Sequence, residues 1–84
     1  MNFKNINDSH GNYYEISEVQ KSPMTIFIHG VGLNNTMWYP QKKYFQEQSV
    51  LFYDLLNHGQ SKSGFKNLNF EIYSNQLLNI INEL

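Results

Sequence analysis

Two short apolar runs constrain the fold of this 84-residue chain more than any other feature of its sequence. Residues 24–28 and 49–53 are rich in β-branched and aromatic side chains, which is typical of strands buried on both faces of a sheet. The first run ends abruptly at His29 and the second at Asp54. A segment with helical spacing separates the runs. The pattern therefore predicts two parallel strands joined by a right-handed crossover.

The rest of the sequence supplies a hairpin before these strands and a helix after them. Residues 3–6 and 13–19 flank a polar turn cluster, which predicts an antiparallel hairpin. Asn34, Asn35 and Thr36 are candidate N-caps of a helix that extends to residue 45, with Pro40 near its first turn. Asn69 is the candidate N-cap of the last helix, whose apolar residues follow one face: Phe70, Tyr73, Leu77, Ile80, Ile81 and Leu84.

These elements predict one α/β domain over residues 1–84 and no second domain. It contains an antiparallel hairpin, two parallel strands and two crossover helices, and its sheet is incomplete. A core of this size rarely supplies more than about 3–5 kcal/mol. We therefore expect marginal stability, with self-association or aggregation.

Composition and charge argue against several classes of binding partner. Six Lys, seven acidic residues and a net charge of -1 leave no excess charge to attract nucleic acid or anionic lipid. The absence of cysteine excludes a disulfide scaffold and a thiolate metal site. Residues 1–10 lack the apolar core of a signal peptide, and no apolar run approaches the ~18 residues of a membrane span. We expect a cytoplasmic protein with no metal, cofactor, nucleic-acid or membrane partner.

Two polar turns lie where the predicted buried strands end, and ligands bind at that edge of open α/β sheets. The first turn, Ile-His-Gly-Val-Gly, covers residues 28–32, and its glycines allow a sharp reversal and the close approach of a ligand. The second turn, Asp-Leu-Leu-Asn-His-Gly-Gln-Ser, covers residues 54–61. Its Asp54 and Ser61 are short polar side chains of the kind that fix turns by bonding to nearby backbone.

These two turns, behind a hairpin and with Trp38 between them, resemble the opening third of an α/β-hydrolase-fold protein of the AB hydrolase-1 type. The resemblance extends over nearly the whole chain. It implies that the backbone N–H of Val31 belongs to an oxyanion hole. It also implies that His29, Gly30 and Gly32 shape the loop that carries this N–H.

The second turn resembles the family pattern Asp-x-x-Gly-x-Gly-x-Ser, with two departures. Asn57 stands in place of the first Gly, and asparagine tolerates the left-handed region best after glycine. Leu56 stands where a basic residue is frequent. The resemblance assigns a loop-shaping role to Asp54, Asn57, Gly59 and Ser61.

The reactive side chains of this family have no counterpart in the sequence. The nucleophile of the family sits in a Gly-x-Ser-x-Gly elbow, whereas residues 59–63 end in Ser and follow no strand directly. A triad of Asp54, His58 and Ser61 is disfavoured, because three residues of one short turn do not face one another from separate elements. The resemblance implies the N-terminal portion of a hydrolase that cleaves ester-like bonds by a Ser-His-Asp mechanism, inactive by itself.

Pocket and partner assignments follow from the same resemblance. Leu33 and Asn34 are candidates for the mouth of a pocket, and Trp38 is a third, although packing on its own helix is the favoured interpretation for it. The implied partners are a small ester-like substrate of the complete protein and the missing C-terminal polypeptide or a second copy of the chain. The sequence does not specify the substrate.

Two other classes of function stay open. The strand at residues 24–28 would have one unpaired edge, which favours a non-catalytic interaction module. The sequence from Gly30 to Gly32, with Asp54 some ~20 residues later, also partly matches a dinucleotide-binding fingerprint. Against that fingerprint, Asn35 replaces the third glycine, and an N-terminal hairpin is unusual for such a fold.

Overall fold

One open mixed sheet positions both predicted turns. In the computed structural model, which describes residues 3–45 and 47–84, the strand order is β1-β2-β4-β3. β1 (Phe3–Asn7) and β2 (Tyr13–Ser17) form the antiparallel hairpin, and β2 pairs antiparallel with β4 (Val50–Tyr53). β4 pairs in parallel with β3 (Thr25–Ile28). The predicted fold class is therefore confirmed.

Residues 1, 2 and 46 lie outside the described residues. The first two belong to the segment predicted to lack a leader, and the third falls between the predicted first helix and the second apolar run.

The main core lies between the sheet and the C-terminal helix, α2 (Phe70–Asn82). Successive strand residues point to opposite faces of a sheet. The face that α2 covers contributes Tyr14, Ile16, Leu51 and Tyr53 to the core cluster, which Leu55 and the α2 residue Ile80 complete. All four residues of β4 are buried, with exposures from 0% to 2%. The prediction that this strand is covered on both faces is confirmed.

The opposite face of the sheet is packed by aromatic rings. The ring of Phe27 stacks on Phe52, with centroids 4.8 Å apart. Trp38 and Phe45 contact the same Phe27 ring at 5.0 Å and 5.2 Å. This cluster fixes the segment after the first turn against the sheet.

The prediction of one continuous helix after Asn34 is wrong. A 3₁₀ turn (Asn35–Trp38), a short α1 (Tyr39–Lys42) and a second 3₁₀ turn (Lys43–Phe45) follow one another. The predicted cap is present, because the Asn34 side chain accepts the Thr36 N–H at 2.9 Å. Pro40 lies in the first turn of α1 and has no N–H, so regular α-helical hydrogen bonding does not extend through it.

The prediction that β3 is buried on both faces is also wrong. Ile26 and Phe27 are half-buried, and Ile28 is 48% exposed. Within the described residues β3 pairs on one side only, with β4, and the neighbouring helices cover its faces incompletely. β3 also begins one residue later than predicted, and β2 ends at Ser17 rather than at residue 19.

The apolar face of α2 is only partly covered. Ile80 is fully buried, whereas Phe70 at the start of the helix is 87% exposed. Asn69 is the N-cap, as predicted, since its side chain accepts the Ile72 N–H at 2.9 Å. Neither helix found in residues 3–45 and 47–84 has the length and hydropathy needed to cross a membrane.

Candidate functional site

The two turns meet at the carboxyl ends of β3 and β4, and two histidines join them. Nε2 of His29, in the first turn, accepts the Leu55 N–H at 3.0 Å. Nε2 of His58, in the second turn, accepts the Gly32 N–H at 2.9 Å. The two imidazole rings lie 5.1 Å apart. We call His29 and His58 the histidine latch, because each turn provides the acceptor for a backbone amide of the other.

The hydrogen bonds of the latch define the protonation state of both rings. A ring nitrogen that accepts an N–H carries no proton, so each Nε2 is unprotonated. The Nδ1–H of His29 donates to the carbonyl of Gly30 at 2.7 Å, and that of His58 donates to the carbonyl of Leu56 at 2.8 Å. Both rings are therefore neutral Nδ1–H tautomers. Both nitrogens of each ring are engaged, so neither histidine presents a free lone pair for general-base catalysis.

The first turn leaves the Val31 amide available to a ligand. The Leu33 N–H donates to the carbonyl of Gly30 at 3.1 Å, and Gly32 has a φ of 86° at the third position, as a type II turn requires. The amides of Gly32 and Leu33 are thus engaged. Among the hydrogen bonds formed by residues 3–45 and 47–84, none involves the N–H of Val31. Val31 itself is 84% exposed.

A buried carboxylate ties the second turn to the start of the helical segment. Asp54 is 1% exposed, and its Oδ1 accepts both the backbone N–H of Asn35 at 2.7 Å and the side-chain amide of Asn35 at 2.8 Å. Its Oδ2 accepts the Gln60 N–H at 2.9 Å. Because these donors occupy the carboxylate, Asp54 is not placed to bind a ribose. This geometry argues against the dinucleotide-binding alternative.

Ser61 is engaged in backbone hydrogen bonds. Its hydroxyl donates to the carbonyl of Asp54 at 2.6 Å and accepts the Tyr13 N–H at 2.9 Å. The side chains of Asp54 and His58 bond to other groups, as described above. The structure therefore does not assemble the disfavoured triad of Asp54, His58 and Ser61, and it places Ser61 where it joins the second turn to β2.

The second turn contains two residues in the left-handed region, Asn57 with a φ of 64° and Gly59 with a φ of 49°. The Asn57 side chain also bonds to both backbone groups of Phe65, donating to the carbonyl at 2.8 Å and accepting the N–H at 3.1 Å. Asn57 thus adopts the left-handed backbone conformation that favours glycine, and its side chain adds a link to the following loop.

The cavity next to the turns is apolar and does not include the predicted pocket residues. Its volume is about 170 Å³, and it lies between the ends of β3 and β4 and helix α2. The residues that line it are Ile28, Tyr53, Leu55, Phe70, Tyr73, Ser74 and Leu77. Trp38 packs against Phe27 on the opposite face, Asn34 caps the 3₁₀ turn, and Leu33 is 49% exposed. The placement of Leu33, Asn34 and Trp38 in a pocket therefore does not match this cavity.

Sequence reasoning missed three of the residues that hold the site together. His58 had no partner at a recognisable spacing, and Asn35 was considered only as a helix cap. Gln76 is 2% exposed, and its side-chain amide bonds to two backbone groups at the start of the second turn. It accepts the Leu56 N–H at 3.1 Å and donates to the Asp54 carbonyl at 2.9 Å. A polar residue within the apolar face of α2 was the available signal for Gln76.

The described part of the chain contains no group of three or more His, Asp or Glu side chains that could bind a metal ion. Burial raises the pKa of the Tyr53 phenol on the cavity wall to about 12. The phenol is therefore neutral at physiological pH.

The comparisons with known proteins agree with this architecture. No protein-family model matches the chain. A curated relative, (E)-2-((N-methylformamido)methylene)succinate hydrolase from Acinetobacter baylyi, is 39% identical over 56 residues, which are 66% of this chain and 20% of the relative.

Two solved structures are also similar. The first is MGS-M2, an α/β hydrolase from a Medee basin deep-sea metagenome library, with a TM-score of 0.76 and 21% identity over 86% of this chain and 27% of that one. The second is a hydrolase from Pseudomonas aeruginosa, with a TM-score of 0.73 and 19% identity over 98% of this chain and 32% of that one.

The chain therefore has the α/β-hydrolase fold, and its strand order and two turns are consistent with the N-terminal portion predicted from the sequence. It spans about a fifth of the curated relative it matches and about a third or less of the two solved structures.

Proposed function

We propose that this chain is the N-terminal portion of a cytoplasmic α/β-fold hydrolase of the AB hydrolase-1 type, and that it contributes one oxyanion donor, the N–H of Val31. In the complete protein the reaction would be hydrolysis of an ester-like bond of a small molecule by a Ser-His-Asp mechanism. The single observation that carries the proposal is that the Val31 N–H forms no hydrogen bond within the described residues, whereas the amides of Gly32 and Leu33 beside it are engaged.

The mechanism assigns a limited role to this chain. The carbonyl oxygen of the substrate becomes negatively charged as the serine attacks, and a preorganised N–H close to that oxygen stabilises the transition state. One such donor typically contributes ~2.7–4 kcal/mol to the stabilisation. The serine, the general base and the acid have no counterparts among the residues of the two turns. We therefore expect no turnover by the 84 residues alone.

The open edge of β3 provides the place where the remaining polypeptide would join. The Thr25 N–H points toward β4, because it donates to the carbonyl of Ser49 at 2.9 Å. Successive residues of a strand direct their amides to alternate sides. The backbone groups of Ile26 and Ile28 therefore face away from β4. They are available to pair with a further parallel strand from the completing polypeptide.

The test is a complementation assay. The chain is purified alone, and also after co-expression with the part of the Acinetobacter relative outside the matched 20%, which under this proposal supplies the missing catalytic residues. Hydrolysis of a p-nitrophenyl ester is measured for both preparations. We expect turnover by the complex and none above buffer for the chain alone. Stoichiometric turnover by the chain alone, or a folded complex without activity, would contradict the proposal.

A second candidate function is a non-catalytic interaction module that pairs through the same sheet edge. It is favoured by the exposure of apolar side chains along that side of the molecule, including Ile28 at 48% and Phe70 at 87%. An unpaired strand edge flanked by apolar surface recruits another chain.

Sedimentation of wild-type protein and of the double variant Ile28→Lys with Phe70→Lys tests the module. The module predicts a defined dimer or complex for the wild type that the double variant abolishes. A wild-type monomer that remains folded and gains activity on complementation would contradict the module and support the hydrolase.

A further inference from the structure

A second cluster of polar groups lies on the face of the sheet opposite α2. Its centre is Glu15 of β2, whose side chain is 7% exposed. Oε2 of this carboxylate accepts hydrogen bonds from the phenols of Tyr13 at 3.0 Å and Tyr39 at 3.2 Å. Oε1 accepts a hydrogen bond from Nζ of Lys42, the last residue of α1. The reaction proposed above uses none of these groups.

Three aromatic rings lie around the Lys42 ammonium. Nζ is 4.0 Å from the ring centroid of Tyr39, 5.0 Å from that of Phe3 and 5.4 Å from that of Phe52. All three distances are within the ~6 Å over which an aromatic face attracts a cation. The rings come from α1, β1 and β4, so the tertiary fold brings them together. We call these three rings and the carboxylate the aromatic cage: Phe3, Tyr39, Phe52 and Glu15.

The register of the sheet explains why these groups converge. Glu15 is paired with Phe52 in the ladder between β2 and β4, and Phe3 is paired with Ser17, two residues further along β2. Opposed residues share a face of the sheet, and so do residues two apart on one strand. The rings of Phe3 and Phe52 are accordingly in contact, with centroids 5.8 Å apart. The carboxylate therefore lies beside two aromatic side chains of the neighbouring strands.

This combination of groups selects a primary ammonium ion. The aromatic faces attract a positive charge, and the carboxylate accepts an N–H hydrogen as well as balancing that charge. A carboxylate that is almost fully buried is costly without a cation beside it. Burial, followed by the hydrogen bond to Glu15, raises the pKa of Tyr13 to about 12, so this phenol remains a neutral donor at physiological pH. Neither a neutral chain nor an anion would satisfy the same set of groups.

We propose that the aromatic cage is a binding site for a primary alkylammonium group, and that Lys42 occupies it from within the same chain. The Lys42 side chain is 15% exposed, and Tyr39 on the outer side of the cage is 48% exposed. A free alkylammonium ion therefore has access to the cage once the Lys42 side chain is removed. The site is independent of the proposed hydrolase function, and its test requires no catalytic activity.

The experiment replaces the Lys42 side chain by a free ion of the same shape. Lys42→Ala removes the atoms beyond Cβ, which together correspond to n-propylammonium. The variant leaves Glu15 without its cation, so we expect the Tm to fall by about 10 °C or more. n-Propylammonium chloride should bind with a Kd in the millimolar range and, at about ten times that Kd, raise the Tm by about 5 °C or more. Equal concentrations of 1-propanol or sodium chloride should have a much smaller effect.

Lys43→Ala is the matched control, because Nζ of Lys43 lies 5.2 Å from the ring of Tyr44, which is 70% exposed. n-Propylammonium should stabilise this variant no more than sodium chloride does. Tetramethylammonium has no N–H to donate to Glu15, so it should stabilise Lys42→Ala less than n-propylammonium does. The proposal is overturned if 1-propanol or tetramethylammonium matches n-propylammonium, or if the two alanine variants respond to n-propylammonium equally.

Two further measurements decide the outcome if Lys42→Ala does not fold. In the NMR spectrum of the wild-type chain, the aromatic rings should shift the ε-methylene protons of Lys42 upfield of those of the exposed Lys21 and Lys66. Lys42→Met keeps the length of the side chain without its charge. It should have a lower Tm than the double variant Lys42→Met with Glu15→Gln, in which no carboxylate is left unpaired. Unshifted Lys42 protons, or a double variant no more stable than Lys42→Met, would contradict the assignment of the cage to an ammonium group.

Discussion

At the level of single residues, hydrogen bonding determines which groups at the strand ends remain available. Asp54, Ser61 and His58 all carry chemistry that an active site could use, yet each is occupied by backbone or amide partners. By contrast, the main-chain N–H of Val31 forms no hydrogen bond within the described residues. A backbone donor of this kind leaves no trace in residue type, so its assignment depends on the geometry of the turn around it.

Substitution of Val31 by proline tests that donor directly. Proline removes the N–H, yet it is favoured at the second position of a type II turn, so the turn is expected to survive. In the complemented enzyme, Val31→Pro should lower kcat about 10²- to 10³-fold. Val31→Ala, which retains the N–H, is the control and should keep nearly wild-type kcat. Equal activities of the two variants would remove Val31 from the oxyanion hole.

Gly59 is required by both conformation and space. A Cβ at this position would overlap the Asp54 carboxylate, and the φ of 49° is left-handed. We expect Gly59→Ala to lower the free energy of unfolding by about 2–5 kcal/mol, measured by urea denaturation. Gly64→Ala is the matched control, because its φ of 97° is equally unfavourable and no atom lies within 4 Å of the added Cβ. Similar losses in both variants would show that the Asp54 contact contributes nothing.

At the level of elements, local sequence signals were reliable where they set the ends of elements. The N-caps Asn34 and Asn69 and the buried strand β4 follow from residue type and periodicity alone. The partial exposure of β3 could not be predicted in this way, because the same apolar pattern is found in central strands and in edge strands. The neighbouring strands of the sheet determine which of the two β3 is. Pro40 was noted, but its effect on the continuity of α1 depends on its place within the turn.

The cap of α2 gives a prediction at this level. Asn69→Ala removes the acceptor of the Ile72 N–H and should lower the free energy of unfolding by about 1 kcal/mol. The exposed Asn75, inside the same helix, is the control: Asn75→Ala should leave stability unchanged or raise it, because alanine has the higher helix propensity. Thermal denaturation followed by circular dichroism at 222 nm measures both. A stable Asn69→Ala variant would show that packing alone fixes the start of α2.

The candidate site was predictable to the extent that its residues lie in recognisable turns. Both turns were predicted from the sequence at the ends of parallel strands, and Asn57 was predicted to tolerate the left-handed conformation that it adopts. The sequence did not reveal the histidine latch or the contacts of Gln76, because these bonds join residues 20 to 26 positions apart. Hydrogen bonds between residues so far apart in the sequence depend on the order of the strands in the sheet and on where each turn lies relative to its neighbours.

At the level of the whole molecule, buried phenols link stability to alkaline pH. Burial, followed by the hydrogen bond to Glu15, raises the pKa of Tyr13 to about 12, and burial raises that of Tyr53 to about 12. In the unfolded chain both phenols ionise near their usual value of 10.0. Above pH 10 the unfolded state therefore binds fewer protons than the native state, and stability must fall as the pH rises.

We expect the free energy of unfolding to be insensitive to these two groups below pH 10 and to decline between about pH 10 and 12. Urea denaturation at a series of pH values measures the decline, and tyrosinate absorbance reports when the phenols ionise. Tyr53→Phe removes one of the two groups and should reduce the decline. The exposed Tyr44 provides the control, since Tyr44→Phe should leave it unchanged. Stability that stays level to pH 12 would contradict the linkage.

The unpaired side of β3 has a directional consequence. A polypeptide that hydrogen-bonds there in the same orientation as β4 must finish at the same rim as Ile28, since co-directional strands share their carboxyl ends. The first residues that emerge from such a strand would arrive beside the exposed corner at Val31. Pairing with this edge would thus determine both which polypeptide binds and where the turn after its strand lies. Binding of that polypeptide and assembly of a reaction centre would then be a single event.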